Sequence, residues 1–348
     1  MARLARAEIF DPSEVAVLHL CARVVRRCFL FGVDPVTGIN HDHRKVWIED
    51  QLKLLAANFG IDLLAFAILS NHFHLVVRSR PDVVETWDSS EVARRWLMLC
   101  PKRKRKDRSP EEPNEFELNS IRNDPDKLAT IRKRLSDVSW WMRLLCQNIG
   151  TRANQEDKQV GKFFQGRYRA VRILDEESLL ACAAYVDLNP IRAAMAETLE
   201  TSEFTSVQRR IQALQRAETA MPGNGVTVDS FLSPLTIDEK NDSIGTCANQ
   251  SRERCSDKGF LSLSFMDYLE LLDASSRMVR PDKSGYTPSD VAPVFARLKL
   301  DPDYWKLQIQ DFGRLFSNVA GKPKDVYDMR SLISKRRFYL KRLKPELV

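Results

Sequence analysis

Two histidines, His72 and His74, stand one residue apart inside an apolar segment. Side chains alternate across a β-strand, so both imidazoles are expected on one face of the strand and Phe73, Leu75 and Val77 on the other. An apolar back face would anchor the strand in a core, and two imidazoles side by side suit a metal ion. Taken alone, a close histidine pair is more often structural, so other residues must decide.

A tyrosine and an asparagine, Tyr185 and Asn189, lie four residues apart further along the chain. On a helix the two side chains project from the same face, one turn apart. Pro190 disfavours helical geometry at Asn189, so the helix is expected to end there. Without other evidence, such a tyrosine is typical of an amphipathic helix, with its ring in the core and its hydroxyl at the surface.

The segment from Lys162 to Arg172 combines basic and aromatic residues and contains no acid. Read as a strand, it places Arg167 and Arg169 on one face and Tyr168 on the other. Basic side chains hold phosphates and aromatic rings stack on bases in proteins that bind single strands, although an ordinary amphipathic strand shows the same pattern. The candidate DNA contacts are Arg167, Tyr168, Arg169, Arg172 and Arg192. Arg192 lies two residues after the Asn-Pro step, and a phosphate contact there is no more strongly indicated than capping or packing.

Composition is compatible with these assignments. The chain has 348 residues, 43% of them hydrophobic, which is enough for a core, and a net charge of +7 with an isoelectric point near 9.0 favours an anionic partner such as nucleic acid. Seven scattered cysteines without a C-x-x-C motif argue against a structural zinc site and indicate reduced thiols. No signal peptide or apolar run long enough for a bilayer is visible, so a cytoplasmic protein without a membrane partner is expected.

Hydrophobic periodicity predicts the elements that position these residues. In chain order they are a strand within 15–31, a helix over 42–59, a central strand over 61–69 covered on both faces, a turn at Ser70-Asn71, a strand over 161–174 and a helix capped by Asp175.

Three regions are expected along the chain. Residues 1–200 form one domain with an exposed, charged and partly loop-like insertion around 82–135, which includes the basic run 102–106. Residues 201–257 are expected to be a linker, and residues 258–348 a small all-helical domain with a basic end over 330–344.

The motifs together resemble a family. A His-hydrophobic-His strand, a Phe-Gln-Gly-Arg-Tyr strand and a helix ending Tyr-Val-Asp-Leu-Asn-Pro-Ile-Arg-Ala are similar to the single-tyrosine HUH transposases of small bacterial insertion sequences, and closest to the REP-associated tyrosine transposases. The resemblance covers roughly residues 10–200. It implies an α+β fold, ferredoxin-like, with an antiparallel sheet and helices on one face.

The resemblance also implies roles for individual residues. His72 and His74 would bind a divalent cation, Asn189 would be the third ligand, and Tyr185 would be the nucleophile that forms a 5′-phosphotyrosine. A mixed set of nitrogen and oxygen ligands admits Mg²⁺ or Mn²⁺, with Mn²⁺ the better match to imidazole. The implied activity is nicking and joining of single-stranded DNA in transposition at a hairpin or palindrome, by a monomer or a homodimer.

Other functions remain open at this stage. A non-catalytic DNA-binding protein derived from a transposase would keep the fold without needing the Tyr185 hydroxyl. A replication initiator or plasmid-mobilisation nickase would use the same chemistry but would need a motor partner, since no Gly-rich phosphate-binding loop is present. A second histidine pair, His41 and His43, lies in a polar segment and is a weaker ligand set, and His19 is interpreted as structural.

Overall fold

A computed structural model of the chain describes residues 10–25, 30–219, 227–238, 252–279, 293–316 and 318–332. These ranges contain both helices and strands, and the fold belongs to the α+β class that the sequence predicts. The elements are β1 (Val17–Arg23), α1 (His43–Asn58), β2 (Ile61–Ile68), β3 (His72–Ser79), α2 (Pro81–Thr86), α3 (Ser89–Leu99), α4 (Glu115–Arg122), α5 (Pro125–Leu135), α6 (Val138–Glu156), β4 (Arg169–Ile173), α7 (Glu176–Asp187), α8 (Asn189–Arg192), α9 (Ser206–Thr219), α10 (Phe265–Val279), α11 (Pro293–Arg297), α12 (Pro302–Leu315), β5 (Val319–Ala320) and α13 (Pro323–Leu332).

The strands form one sheet in the order β2-β3-β1-β4-β5. The first three pairings are antiparallel, and β5 runs parallel to β4. In this register Cys21 of β1 lies opposite His74 on one side and Arg169 on the other, and Arg23 lies opposite His72. The strand β1 therefore holds the histidine strand and the basic strand on its two sides.

One face of the sheet carries a first hydrophobic core. Phe73, Leu75 and Val77 of β3 are fully buried there, as expected from the alternation of the strand. Helices α1, α3, α5 and α6 cover this face, and the Trp141 ring of α6 packs against Phe59.

The opposite face carries a second core, so the prediction of helices on one face only is wrong. Val76 of β3 and Val171 of β4 are fully buried on this side beneath α7, α10 and α12. Because the residues that alternate with the first core are apolar as well, exposing them to water would be costly, and a second helical layer covers them.

The segment around 82–135 is partly loop, over 100–114, but it is less exposed than its charges suggest. It contains helices α2 to α5, and Val92, Leu97, Ile121 and Ile131 are buried in the first core. The apolar residues recur at helical spacing, and the surrounding charges occupy the solvent face. The basic run 102–106 is the exposed part.

The C-terminal part of the chain is not all-helical, which corrects a second expectation. Val319 and Ala320 form β5 beside β4, where the Leu174 amide donates to the Ala320 carbonyl oxygen at 2.9 Å. The presumed linker 201–257 contains helix α9, which packs against β2 through buried Val207 and Ile211. The division into domains stays a prediction, and most of the basic end, residues 333–344, lies outside the described residues.

Two local expectations have different outcomes. Asp175 caps α7 as predicted, its Oδ1 accepting from the Ser178 amide at 2.8 Å. The strand expected over 161–174 is interrupted at Gly166, whose backbone has φ +46°: Arg169 to Ile173 form the ladder with β1, and Phe164 forms an isolated bridge with Val24. No helix in the ranges given above is both long and apolar enough to cross a bilayer.

Candidate active site

The histidine pair lies at the start of β3. His74 is 4% exposed, His72 is half-buried, and their ring centroids are 4.9 Å apart. The intervening Phe73 points into the first core. The two imidazoles therefore share the face of the sheet that α7 covers.

A third imidazole, that of His19, belongs to the same cluster. Its Nε2 lies 2.9 Å from Nδ1 of His74, and the two rings stack at 5.1 Å between centroids with 13° between their planes. This contact depends on the register of β1, in which His19 is paired with Val76 of β3, and a single sequence does not show that register. His19, interpreted as structural from the sequence, thus contacts a proposed ligand directly.

Hydrogen bonds fix how the histidine pair presents its nitrogens. His72 Nδ1 lies 2.6 Å from Oδ1 of Asn71, and since an amide oxygen only accepts, this ring nitrogen carries the proton. The Nδ1 of His74 is engaged by His19. In both rings Nε2 is the nitrogen left for another partner, and the Nε2 of His74 is buried without one.

The three imidazoles are held neutral. Burial lowers the pKa of His19 to about 3, with a smaller effect from the charge of Arg169. Burial also lowers the pKa of His72 to about 3, helped by Arg23 and Arg192, and puts that of His74 well below its usual value. Neutral imidazoles keep a lone pair that can bind a cation.

Tyr185 reaches this cluster from α7. Its ring centroid lies 5.5 Å from that of His74 and 5.9 Å from that of His19, both in edge-on orientation. The guanidinium of Arg192 lies 4.2 Å from the centre of the phenol ring. The fold thus brings together a tyrosine and the histidine pair, which are separated widely in sequence.

The tyrosine is covered by the C-terminal part of the chain. Tyr185 is 8% exposed, and the Phe312 ring of α12 lies 5.8 Å from it and 5.8 Å from His19. A Cβ added at Gly313 would lie 3.6 Å from the Tyr185 hydroxyl oxygen, so the backbone of α12 approaches closely here. Phe312 was not predicted as part of the site, because the sequence of an amphipathic helix does not indicate which residues its aromatic side chains will contact.

Arg192 ties α12 to the site. Its Nη1 donates to the carbonyl oxygens of Ile309 at 3.0 Å and Gln310 at 2.7 Å. These carbonyls precede Asp311, whose φ of −128° and ψ of 22° interrupt the helix. The interruption frees helical carbonyls from their usual partners, and the arginine satisfies them.

Asn189 begins α8 directly after the tyrosine helix and is 3% exposed. Its Nδ2 is buried without a hydrogen-bond partner, as is Nε2 of His74. The oxygen and nitrogen of an amide exchange places when the group is rotated by 180°, so this side chain can offer either atom. Unpartnered buried polar atoms on two of the expected ligands fit a site that binds a cation.

The five candidate DNA contacts fall into two groups. Arg169, Arg172 and Arg192 are engaged within the protein: Arg169 Nη2 donates to the Phe316 carbonyl oxygen at 2.5 Å, and Arg172 pairs with Glu14 at 3.2 Å. The other two, Arg167 and Tyr168, precede β4 and line a cavity beside Arg23.

The second histidine pair lies apart from this cluster. His41, Glu156 and Asp157 bring possible ligand atoms within 4.8 Å of one another. However, the fully buried guanidinium of Arg44 already pairs with both carboxylates. The positive charge that a metal would supply is therefore already present.

A comparison with solved structures finds one similar protein. A solved structure described as a REP-associated tyrosine transposase bound to a REP hairpin aligns over 65% of this chain and 93% of its own, with 10% sequence identity and a TM-score of 0.35. At this score the likeness supports no functional argument. No protein-family profile matches the chain, and no curated protein matches it.

Proposed function

We propose that this chain is a transposase that nicks and rejoins single-stranded DNA through a covalent bond to Tyr185, acting at hairpin or palindromic ends. The observation that carries the proposal is the contact of the Tyr185 ring with His74, at 5.5 Å between centroids. A candidate nucleophile thus lies against a candidate ligand pair, in the combination that the sequence motifs resemble.

The proposed metal ligands are His72, His74 and Asn189, with Mg²⁺ or Mn²⁺ as the cation. Support comes from the neutral state of both imidazoles and from the unpartnered His74 Nε2 and Asn189 amide. A bound divalent cation would polarise the scissile phosphate and stabilise the charge that develops in the transition state.

The chain's own residues would carry the covalent step. The Tyr185 oxygen attacks phosphorus and loses its proton to solvent, while the bond from phosphorus to the 3′ oxygen breaks and that oxygen takes up a proton. A 5′-phosphotyrosine and a free 3′-hydroxyl result, and attack by another 3′-hydroxyl restores a phosphodiester and the phenol. The bond energy is conserved, so the reaction needs no nucleotide cofactor.

The arginines around the site would attract the DNA backbone. Arg23 and Arg192 act on the pKa of His72, so their charges are close to the proposed cation site. A site this positive would favour the cation most when a phosphate is bound beside it, because the phosphate offsets the repulsion.

The ferredoxin-like description of the fold is part of the proposal. The order β4-β1-β3-β2, all antiparallel, with α1 between β1 and β2, supports it. The additional strand β5 and the helices of the second core lie outside that pattern.

Covalent capture tests the activity directly. Wild-type protein is mixed with end-labelled single-stranded oligonucleotides that form hairpins with randomised flanks, in Mn²⁺, and analysed on denaturing gels. A labelled protein band is expected for wild type and absent for Tyr185→Phe, and EDTA should abolish it. Equal adduct with Tyr185→Phe would exclude Tyr185 as the nucleophile, and adduct in EDTA would exclude the metal role.

A second candidate function is hairpin or sequence-specific DNA binding without catalysis. The observation that favours it is the cover over Tyr185, which leaves only 8% of this residue exposed beneath Phe312. Wild-type protein that retains hairpins on a native gel but forms no adduct would support this function over the first.

A further inference from the structure

A cavity of about 190 Å³ lies at the end of β1, which is an inner strand of the sheet. It is smaller than the roughly 300 Å³ at which pockets for drug-sized ligands begin, so it has room for one small ring system. Its lining comes from β1, from α6 and from the segment before β4, and consists of Ala22, Arg23, Ser139, Met142, Arg143, Cys146, Phe164, Gln165, Gly166, Arg167 and Tyr168.

The lining combines positive charge with aromatic surface. Arg23, Arg143 and Arg167 supply positive charge, and no acidic residue lines the cavity. Phe164 and Tyr168 supply aromatic surface. Guanidinium groups hold phosphates and aromatic rings stack on bases in a sequence-tolerant way.

Backbone pairing fixes the wall formed by the segment before β4. The Gln165 amide donates to the Arg23 carbonyl oxygen at 2.8 Å, and Val25 donates to Phe163 at 2.9 Å. Gly166 then turns the chain with φ +46°, and nothing lies within 4 Å of a Cβ added there. Backbone hydrogen bonds therefore hold this wall in place, and there is open space beside Gly166.

Arg23 connects the cavity to the candidate active site. It lies opposite His72 in the pairing of β1 with β3, and its charge acts on that imidazole. A strand whose scissile phosphate lies at Tyr185 would pass Arg23 on its way to the cavity.

Beyond the cavity, basic and aromatic residues continue at the end of α5 and along α6. The guanidinium of Arg143 lies 4.7 Å from the centre of the Trp140 ring, and that of Arg134 lies 4.3 Å from it. Among the residues that the structure describes, no carboxylate forms an ion pair with Arg23, Arg134 or Arg143. Their charges are not neutralised by ion pairs there and can attract an anionic strand.

We propose that this cavity receives one nucleotide of the single-stranded DNA that runs past Tyr185, with its base between the aromatic rings and its flanking phosphates on Arg23 and Arg143. The proposal rests on the proposed function for the path of the strand. It extends the site to Arg23, Ser139 and Arg143, which lie outside the sequence motifs.

Two variants distinguish binding of the base from binding of the phosphates. Arg143→Gln removes one exposed charge, and Ser139→Phe fills the cavity from the first turn of α6 while keeping every arginine. Arg277→Gln on α10 is the control, because it removes one exposed charge away from the cavity. Similar melting temperatures and circular dichroism spectra would show that all three fold.

Binding of fluorescein-labelled oligo(dT) is measured by anisotropy in EDTA over a range of salt concentrations. Ser139→Phe should weaken binding by about tenfold, the effect of losing one stacked base, with an unchanged salt slope. Arg143→Gln should reduce the slope of log affinity against log salt by about 0.7, the value for one phosphate contact to a single strand. Arg277→Gln should change neither.

Protection of a thiol gives a second measurement on the unmodified protein. Cys146 lines the cavity, whereas Cys100 does not. Oligo(dT) should slow maleimide labelling of Cys146 but not of Cys100, followed by mass spectrometry of peptides. Equal labelling of Cys146 with and without DNA, or wild-type affinity in Ser139→Phe, would overturn the proposal.

Binding of a DNA duplex of the same length as the oligo(dT) is the remaining comparison. An equal loss of duplex binding in Ser139→Phe would mean that the cavity does not receive an unpaired base. Because these assays need neither Tyr185 nor metal, their failure is distinct from a failure to form the covalent adduct.

Discussion

The Nε2 of His19 lies 2.9 Å from the Nδ1 of His74, so one imidazole orients another. Both rings are neutral, and one of the two nitrogens must donate to the other. If His74 is to bind a cation through Nε2, its Nδ1 must carry the proton and His19 must accept it. His19 would then hold both the ring orientation and the tautomer that ligation requires.

We expect His19→Ala to weaken Mn²⁺ binding by about 10- to 100-fold, the usual cost of losing a group that supports a metal ligand. Free Mn²⁺ can be counted by electron paramagnetic resonance during titration of the protein. His43→Ala is the matched control, since this histidine pairs with Glu156 away from the cluster. Unchanged affinity in His19→Ala would show that His74 does not depend on this hydrogen bond.

The same histidines should make the fold sensitive to acid. Burial lowers the pKa of His19 and His72 from 6.5 to about 3, so the unfolded chain binds more protons between these values. The stability that these two histidines contribute is therefore greatest above about pH 6.5 and falls as the pH drops towards 3.

Urea denaturation at pH 7.5 and pH 5 tests this linkage. His19→Phe removes one of the titrating groups and keeps an aromatic ring against Phe312, so its stability should fall less between the two pH values than that of wild type. An identical fall in both proteins would mean that His19 is not held neutral in the folded state.

The sequence predicts some parts of this molecule well for physical reasons. The alternation of Phe73, Leu75 and Val77 with the histidines sets the two faces of β3, because a buried face must be apolar. Asp175 could be assigned as a cap because a carboxylate accepts from free amides in the first helical turn.

Other parts depend on long-range pairing that a single sequence does not show. His19 joins the cluster only through the register of β1, and Phe312 reaches Tyr185 only because α12 packs on α7. The charges around 82–135 suggested an exposed segment, whereas much of it forms helices whose apolar faces, such as that of Ile131, are buried. The apolar residues of β2 and β3 on the second face predicted a buried strand but not which helices would cover it.

Arg192 should control how tightly α12 covers the tyrosine. Arg192→Ala removes hydrogen bonds to two carbonyl oxygens and a cation–π contact with Tyr185. A loss of about 2–4 kcal/mol in unfolding free energy is expected, from roughly 1 kcal/mol for each interaction.

Acetylation of Tyr185 by N-acetylimidazole measures how firmly α12 covers this residue. Tyr185 should be modified faster in Arg192→Ala than in wild type, because α12 is held less firmly. Arg314→Ala, which removes a well-exposed arginine of the same helix, should leave the rate unchanged. A rate equal to wild type in Arg192→Ala would show that other contacts suffice to hold the cover.

Asp187 should be the main polar support of the tyrosine helix. This fully buried carboxylate accepts from the Ser206 hydroxyl at 2.6 Å, the Val207 amide at 3.0 Å and the Tyr268 hydroxyl at 2.7 Å, and so joins α7 to α9 and α10. Asp187→Ala leaves these buried donors without an acceptor and should cost about 3–5 kcal/mol of unfolding free energy.

Asp187→Asn is the informative partner of that variant. Burial is the largest influence on the carboxyl and raises its pKa above the usual 3.8, so the folded state binds the proton more tightly than the unfolded state. Stability contributed by this group therefore falls as the pH rises from the unfolded pKa through the folded one. The amide has no such titration and keeps an oxygen for the donors. Because the buried histidines make stability rise over the same range, urea denaturation between pH 4 and pH 8 should show a steeper rise with pH in the asparagine variant than in wild type. An equal pH dependence in the two proteins would show that Asp187 makes no such contribution.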